Sequence, residues 1–275
     1  MDWKRAKTIL LLVFFILNIV LSVVLYQNFK VEEISEQTIK NTKRILEKNK
    51  VLIECPIPVS IGNDYSLQSE EKVLDKIRIT TELLGEDYKE NSDNSFINGT
   101  KSLVFTGSSG FEFQDTGSNE LLKTYGKSDV DKYLRKLSKT LGLPFDEFKQ
   151  DGYYQDLQTH EGARVAYKGV YQGYDIFDNY IDIEVSKSGI KNIKYNYKKP
   201  INLTLIKDIN VIPAYQILIT KMTNFPEVTI ISVGIGFKGY TVADTKTLYE
   251  SLSWRIMTSD GKEYFFNARN GEEME

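Results

Sequence analysis

Side chains that commonly do chemistry are scarce in this chain: it has one cysteine, Cys55, and one histidine, His160. No disulfide can close within the chain, and a zinc site of the usual Cys/His type cannot be assembled. A Cys–His pair or a Ser–His–Asp triad would have to recruit His160. That residue stands in Gln158-Thr-His-Glu-Gly162, between two strand patterns, where a solvated turn is expected. Gly107-Ser-Ser-Gly110 lacks the Gly-x-Ser-x-Gly spacing of a nucleophile elbow. Gly234-Ile-Gly236 has no third glycine three places on and lies inside a strand pattern, so it is no phosphate loop. Asp178, Asp182 and Glu184, with Asp175 nearby, have even separations that could share one strand face and host a cation. The same acids alternate with Ile176, Tyr180, Ile181 and Ile183 as on any half-exposed strand, and that is the reading adopted. No catalytic, cofactor-binding or metal residue is therefore assigned, and no cofactor is expected. Eight tyrosines between 153 and 197 offer either a platform for stacking glycans or ordinary sheet packing; tyrosine favours strands, so packing is preferred.

The distinctive feature lies elsewhere. Of the 275 residues, 8–29 include no Asp, Glu, Lys or Arg, although the chain as a whole is 27% charged with a mean hydropathy of -0.32. As a helix, Ile9 to Tyr26 would span about 27 Å, close to the apolar thickness of a bilayer. Lys4, Arg5 and Lys7 precede it against Asp2 alone, so residues 1–7 are expected in the cytoplasm and the rest of the chain outside the cell membrane. The apolar run is longer than a signal-peptide core and no Ala-x-Ala follows, which favours an uncleaved single-pass anchor over 8–27. Within it Leu11, Phe15, Asn18, Ser22 and Leu25 recur at 4-3-4-3 spacing on one face. An amide at mid-bilayer gains on the order of 0.6–2 kcal/mol from a partner across helices, so this face is the candidate partner-binding surface; the bland alternative has Asn18 bonding its own backbone.

Residues 28–50 read as a helical stalk with a thin stripe at Val31, Ile34, Thr38, Asn41 and Ile45. Beyond it two extracytoplasmic α+β lobes are expected, 51–126 and 127–275. The first has a strand at 51–54, a helix at 69–84 capped by Ser69 and ended by Gly85, a loop over 86–100, and a hairpin of 103–105 with 111–113. The second opens with a helix at 129–141, striped by Val130, Tyr133, Leu134, Leu137 and Leu141, with Ser128 and Asp131 as a capping box. Strands follow at 152–157, 162–171, 174–186 and 190–198, then a helix over 213–222, then strands at 228–240, 248–258 and 262–268. Strands in runs, not alternating with helices, argue for antiparallel sheets with helices packed on them. The chain outside the anchor and its tail is mildly acidic, net -5 of the total -3, so nucleic acid is not expected as a partner.

Met1-Asp-Trp-Lys-Arg-Ala-Lys-Thr8-Ile, leading into an apolar run with Leu17-Asn18-Ile19, resembles the start of the YycI (WalI) family, single-pass proteins of Firmicutes. Trp254-Arg-Ile-Met-Thr-Ser-Asp-Gly261-Lys-Glu-Tyr-Phe-Phe-Asn267-Ala-Arg-Asn-Gly271 is similar to that family's closing hairpin. The resemblance implies a YycH/YycI-like α+β ectodomain with no catalytic residues. It also implies a role as a non-enzymatic regulatory subunit of a cell-wall-sensing two-component system. The partners it implies are a sensor histidine kinase of the YycG/WalK type and a YycH-like protein, met largely through transmembrane contacts. An extracellular binding module for a wall glycan or lipid is the alternative.

Overall fold

The computed structural model describes residues 3–28, 34–59, 62–117, 127–155, 162–186, 189–207, 210–225, 227–240 and 247–274, with side chains in the first helix described for Trp3 and for 7–23. His160 and the turn expected around it lie outside these residues. The helices are α1 (Trp3–Asn28), α2 (Glu36–Lys48), α3 (Lys76–Leu84), α4 (Lys127–Leu141) and α5 (Ala214–Ile217). Among the described residues fifteen strands join in one mixed sheet: β1 (Val51–Ile53), β2 (Tyr65–Glu71), β3 (Lys89–Ser92), β4 (Ser95–Asn98), β5 (Lys101–Thr106), β6 (Gly110–Asp115), β7 (Phe148–Gln155), β8 (Gly162–Tyr171), β9 (Tyr174–Ser186), β10 (Gly189–Asn196), β11 (Lys198–Leu205), β12 (Val228–Tyr240), β13 (Thr247–Thr258), β14 (Glu263–Asn267) and β15 (Glu273–Met274). The class is α+β. Among the described residues, which in α1 include an unbroken run of side chains only over 7–23, no helix is long and apolar enough to cross a membrane.

The sheet runs β11-β2-β13-β12-β9-β10-β6-β5-β4-β3, with β7-β8 on the second edge of β9 and β14-β15 beside β13. Most pairs are antiparallel, as expected, but β1–β12 and β12–β9 are parallel. The β12–β9 pair is short, Gly236 to Asp175 and Phe237 to Ile176, and joins two half-sheets. Gly236 is required there: a Cβ would lie 2.5 Å from the Asp175 carbonyl oxygen. Each half-sheet covers its own core. α3 and α4 close a cluster around Ile79, Leu103, Phe111, Leu134, Val165, Ile183 and Tyr195. α2 and α5 close another around Leu46, Leu67, Leu218, Phe237, Trp254 and Phe266.

Several elements match their expected bounds, and the departures have physical causes. β8 and β9 meet at Gln172-Gly173, both at positive φ (48° and 88°), the conformation of a two-residue hairpin turn. The stripe of α4 packs inward as expected, but the helix already begins at Lys127, so Ser128 lies inside it, and the Asp131 carboxylate accepts from the Tyr167 hydroxyl. The helix expected from Ser69 is a strand up to Glu71; the true N-cap is Asp75, which accepts from the Arg78 amide at 3.1 Å, while Gly85 ends the helix as expected. Two flanking strands, β11 and β13, supply backbone partners that outweigh the local helix signals. The stretch expected as loop forms the β3–β4 hairpin, because Phe96 stacks edge-on against Tyr88 and Phe105. The strand expected over 190–198 is two strands, with the chain passing at Tyr197 from one half-sheet to the other. The helix expected over 213–222 is four residues of α5 and a π turn over Leu218–Met222.

Candidate functional site

The face predicted on α1 is built by helical spacing alone. Leu11, Phe15, Asn18 and Ser22 are all exposed, and Phe15, Asn18 and Ser22 line a shallow groove with Ile19 and Val23. The Leu25 side chain lies outside the described residues. Asn18 donates through Nδ2 to the Phe14 carbonyl at 2.8 Å, so half of its amide is satisfied by its own helix. This four-residue back-bond lowers what a partner could gain at Asn18 without occupying the groove.

α2 is not the free stalk its composition suggested. Thr42 and Leu46 are buried, Ile39 is packed against the same core, and the helix lies on β1, α5 and the π turn. Ser35 caps it, accepting from the Thr38 amide at 3.2 Å, and the Ile34 amide donates to the Val59 carbonyl at 2.8 Å. The stripe expected at Thr38, Asn41 and Ile45 is rotated from the observed inward face: Asn41 and Ile45 are exposed.

Between the side chains of β7 and β13, sequence reasoning missed a buried ionic network. Arg255, 7% exposed at its side chain, grips Asp151 with two parallel bonds of 2.7 Å and reaches Glu263 at 2.6 Å. Lys168 approaches the other Glu263 oxygen at 3.6 Å. Burial opposes the charge on Arg255, but the hydrogen bonds and field of Asp151 and Glu263 more than offset it and hold its pKa above the usual value. Lys168 is pushed the other way, down, because burial outweighs Glu263. The signal available in the sequence was an arginine flanked by apolar residues in Trp254-Arg-Ile256.

Glu250 is a second buried charge-bearing group. It is 1% exposed, accepts from the Ser69 hydroxyl at 2.8 Å through one oxygen, and leaves the other without a partner. Burial first, with the field of Asp178 adding to it, pushes its pKa up to about 7. At that burial no substrate can touch it, so its placement is structural.

The acids singled out in β9 are dispersed. Asp175 pairs with Lys149 at 2.6 Å, Asp178 with Lys238 at 3.2 Å and the Gly239 amide at 2.9 Å, and Asp182 with the Arg164 guanidinium, Nε to Oδ1 at 2.8 Å. Among the described residues no group of three or more His, Cys, Asp or Glu is arranged to hold a metal ion. The tyrosines are mostly packing: Tyr167, Tyr195 and Tyr197 are buried in the first core, Tyr153 packs against it, and Tyr154 is 40% exposed. The outer face of this half-sheet carries alternating charges, Glu112, Lys194, Asp182 and Arg164, paired across strands.

The family model described as "YycI protein" matches residues 30–269. The chain belongs to the YycI family. Trp254 and Arg269 of this YycI chain, both in the closing hairpin that carried the resemblance, have structural tasks: the Trp254 indole donates to the Ile212 carbonyl at 2.7 Å, and Arg269 pairs with Asp64 at 2.6 Å. No curated protein matches the sequence. Among solved structures, the YycI chain is similar to an uncharacterized protein from Eubacterium rectale ATCC 33656, with TM-score 0.48 and 8% identity over 86% of this chain and 98% of that one. It is also similar to YycH from Bacillus subtilis, with TM-score 0.47 and 13% identity over 74% of this chain. It spans about half of YycH, 52% of that chain.

Proposed function

We propose that this YycI chain is a non-enzymatic regulatory subunit of a membrane-bound sensor histidine kinase of the YycG/WalK type, acting together with a YycH-like protein. The family match over 30–269 carries this reading. In it α1 is the single membrane span: the helix has 26 residues, about 39 Å at 1.5 Å each, and no charged residue from Thr8 to Asn28. The basic tail of Lys4, Arg5 and Lys7 keeps the N-terminus in the cytoplasm, and α2 and the sheet lie outside the cell. The face of Leu11, Phe15, Asn18, Ser22 and Leu25 meets a helix of the kinase or of the YycH-like protein, with the packed outer domain adding contacts of its own.

The test is co-purification from membranes of the full-length chain and of an Asn18→Leu variant. The wild type is expected to retain the kinase and the YycH-like protein, and the variant to retain less of both. Recovery of neither partner with the wild type would end the reading.

A further inference from the structure

The net acidity of the chain conceals a cationic surface on α2, the helix that follows the anchor in sequence beyond a linker holding Lys30, Glu32 and Glu33. From Glu36 to Lys50 there are five basic residues (Lys40, Lys43, Arg44, Lys48 and Lys50) against Glu36 and Glu47; residues 51–275 hold 26 Lys and Arg against 33 Asp and Glu. Because Ile39, Thr42 and Leu46 turn α2 inward, helical geometry directs Lys40, Arg44 and Lys48, four residues apart, along the opposite side, with Gln37 and Asn41 beside them. Lys40, Arg44, Lys48 and Lys50 are exposed and Lys43 is half-buried; Lys50 pairs with Glu227 at 3.0 Å, so the outward face rests on Lys40, Arg44 and Lys48. Lys40 meets Glu36 only at 4.0 Å with both side chains largely in water, an interaction too screened to cancel the charge. Seven residues, 29–35, separate the end of α1 from the start of α2, so the two ends lie within about 25–29 Å of each other whatever path the chain takes.

We infer that the outward face of α2 docks on the anionic lipid surface of the membrane that α1 spans. This rests on the anchored reading of α1 given above. Each basic side chain close to an anionic surface contributes about a fivefold gain in association, and the effect fades within a Debye length. Because the inward face of the same helix is part of the second core, a docked α2 fixes that half-sheet against the bilayer. The site then reads the headgroup charge of the lipid around the complex.

The test uses the full-length chain with Cys55→Ser and a nitroxide at Asn41→Cys, reconstituted in vesicles of phosphatidylcholine alone or mixed with phosphatidylglycerol. Collision with a water-soluble paramagnetic reagent is expected to drop several-fold in the anionic vesicles. High salt should restore it, as should the combined Lys40→Glu, Arg44→Glu and Lys48→Glu change. Equal accessibility in both vesicle types, with the chain resisting carbonate extraction, would overturn this inference alone. Protection in both types that ignores salt would also overturn it, pointing to a protein covering the face. Release of the chain by carbonate would overturn the anchored reading and this inference together.

Discussion

Arg269 donates through Nε to Oδ2 of Asp64 at 2.6 Å, joining the turn before β15 to the residue before β2 across 205 positions of sequence. Asp64 is fully buried at its side chain, while Arg269 keeps some exposure. The arginine also reaches the Tyr65 carbonyl at 3.4 Å. Replacing Arg269 by Ala leaves a buried carboxylate without its cation and is expected to cost about 3 kcal/mol, the low end for such a loss because water can still approach the arginine's side. Urea unfolding should show a lower midpoint with the slope unchanged.

The Arg255 network makes a sharper version of the same claim. Arg255→Lys keeps a positive charge but cannot make the paired bonds to Asp151 while also reaching Glu263. We expect a loss of about 2–4 kcal/mol. Amide exchange should rise first in β7, whose Asp151 the arginine holds from β13, and a uniform rise across the sheet would count against this account.

α2 provides a prediction about packing. Leu46→Ala removes a side chain with no exposure and is expected to cost about 3–5 kcal/mol, whereas Ile45→Ala, at 39% exposure, should fall within about 1 kcal/mol of the wild type. Thermal melts of the two variants separate a helix docked on the domain from a solvated stalk. Equal effects would return the stalk.

How much of this was legible in the residues depended on distance along the chain. The β8–β9 hairpin and the stripe of α4 were readable because their signals, a turn dipeptide and a spacing of three and four, are local. β2 was not, since its backbone partners β11 and β13 lie more than a hundred residues away and override the helix signals around Ser69. The face on α1 follows from helical spacing, and the back-bond from Asn18 to Phe14 is a rotamer choice that spacing does not specify. Arg255 and Asp151 were invisible for the same reason as β2: nothing in one strand says which strand will lie against it. The inward face of α2 was misjudged by one residue, because Asn41 and Ile45 form as plausible a stripe as Thr42 and Leu46 until the partner surface is known.

Glu250 sets a pH dependence of stability. Its pKa is raised in the folded protein to about 7 from an ordinary value of 4.5, mainly by burial, with the Ser69 hydroxyl opposing the shift and Asp178 reinforcing it. An acid whose folded pKa lies above its unfolded one binds its proton more tightly when folded, so folding becomes less favourable as that proton is lost. The contribution is neutral below about pH 4.5 and turns unfavourable as pH climbs through the interval to 7, reaching on the order of 3 kcal/mol above it. Lys198 and Lys238 temper the charge from β11 and β12 without reaching hydrogen-bond distance of the partnerless oxygen. Glu250→Gln keeps the shape and an oxygen for Ser69 but cannot ionise. It should therefore be more stable than the wild type at pH 8 and no more stable at pH 4.5. Denaturant unfolding of both proteins across that range measures the difference directly; parallel curves would mean that Glu250 keeps the same protonation in the folded and unfolded chain.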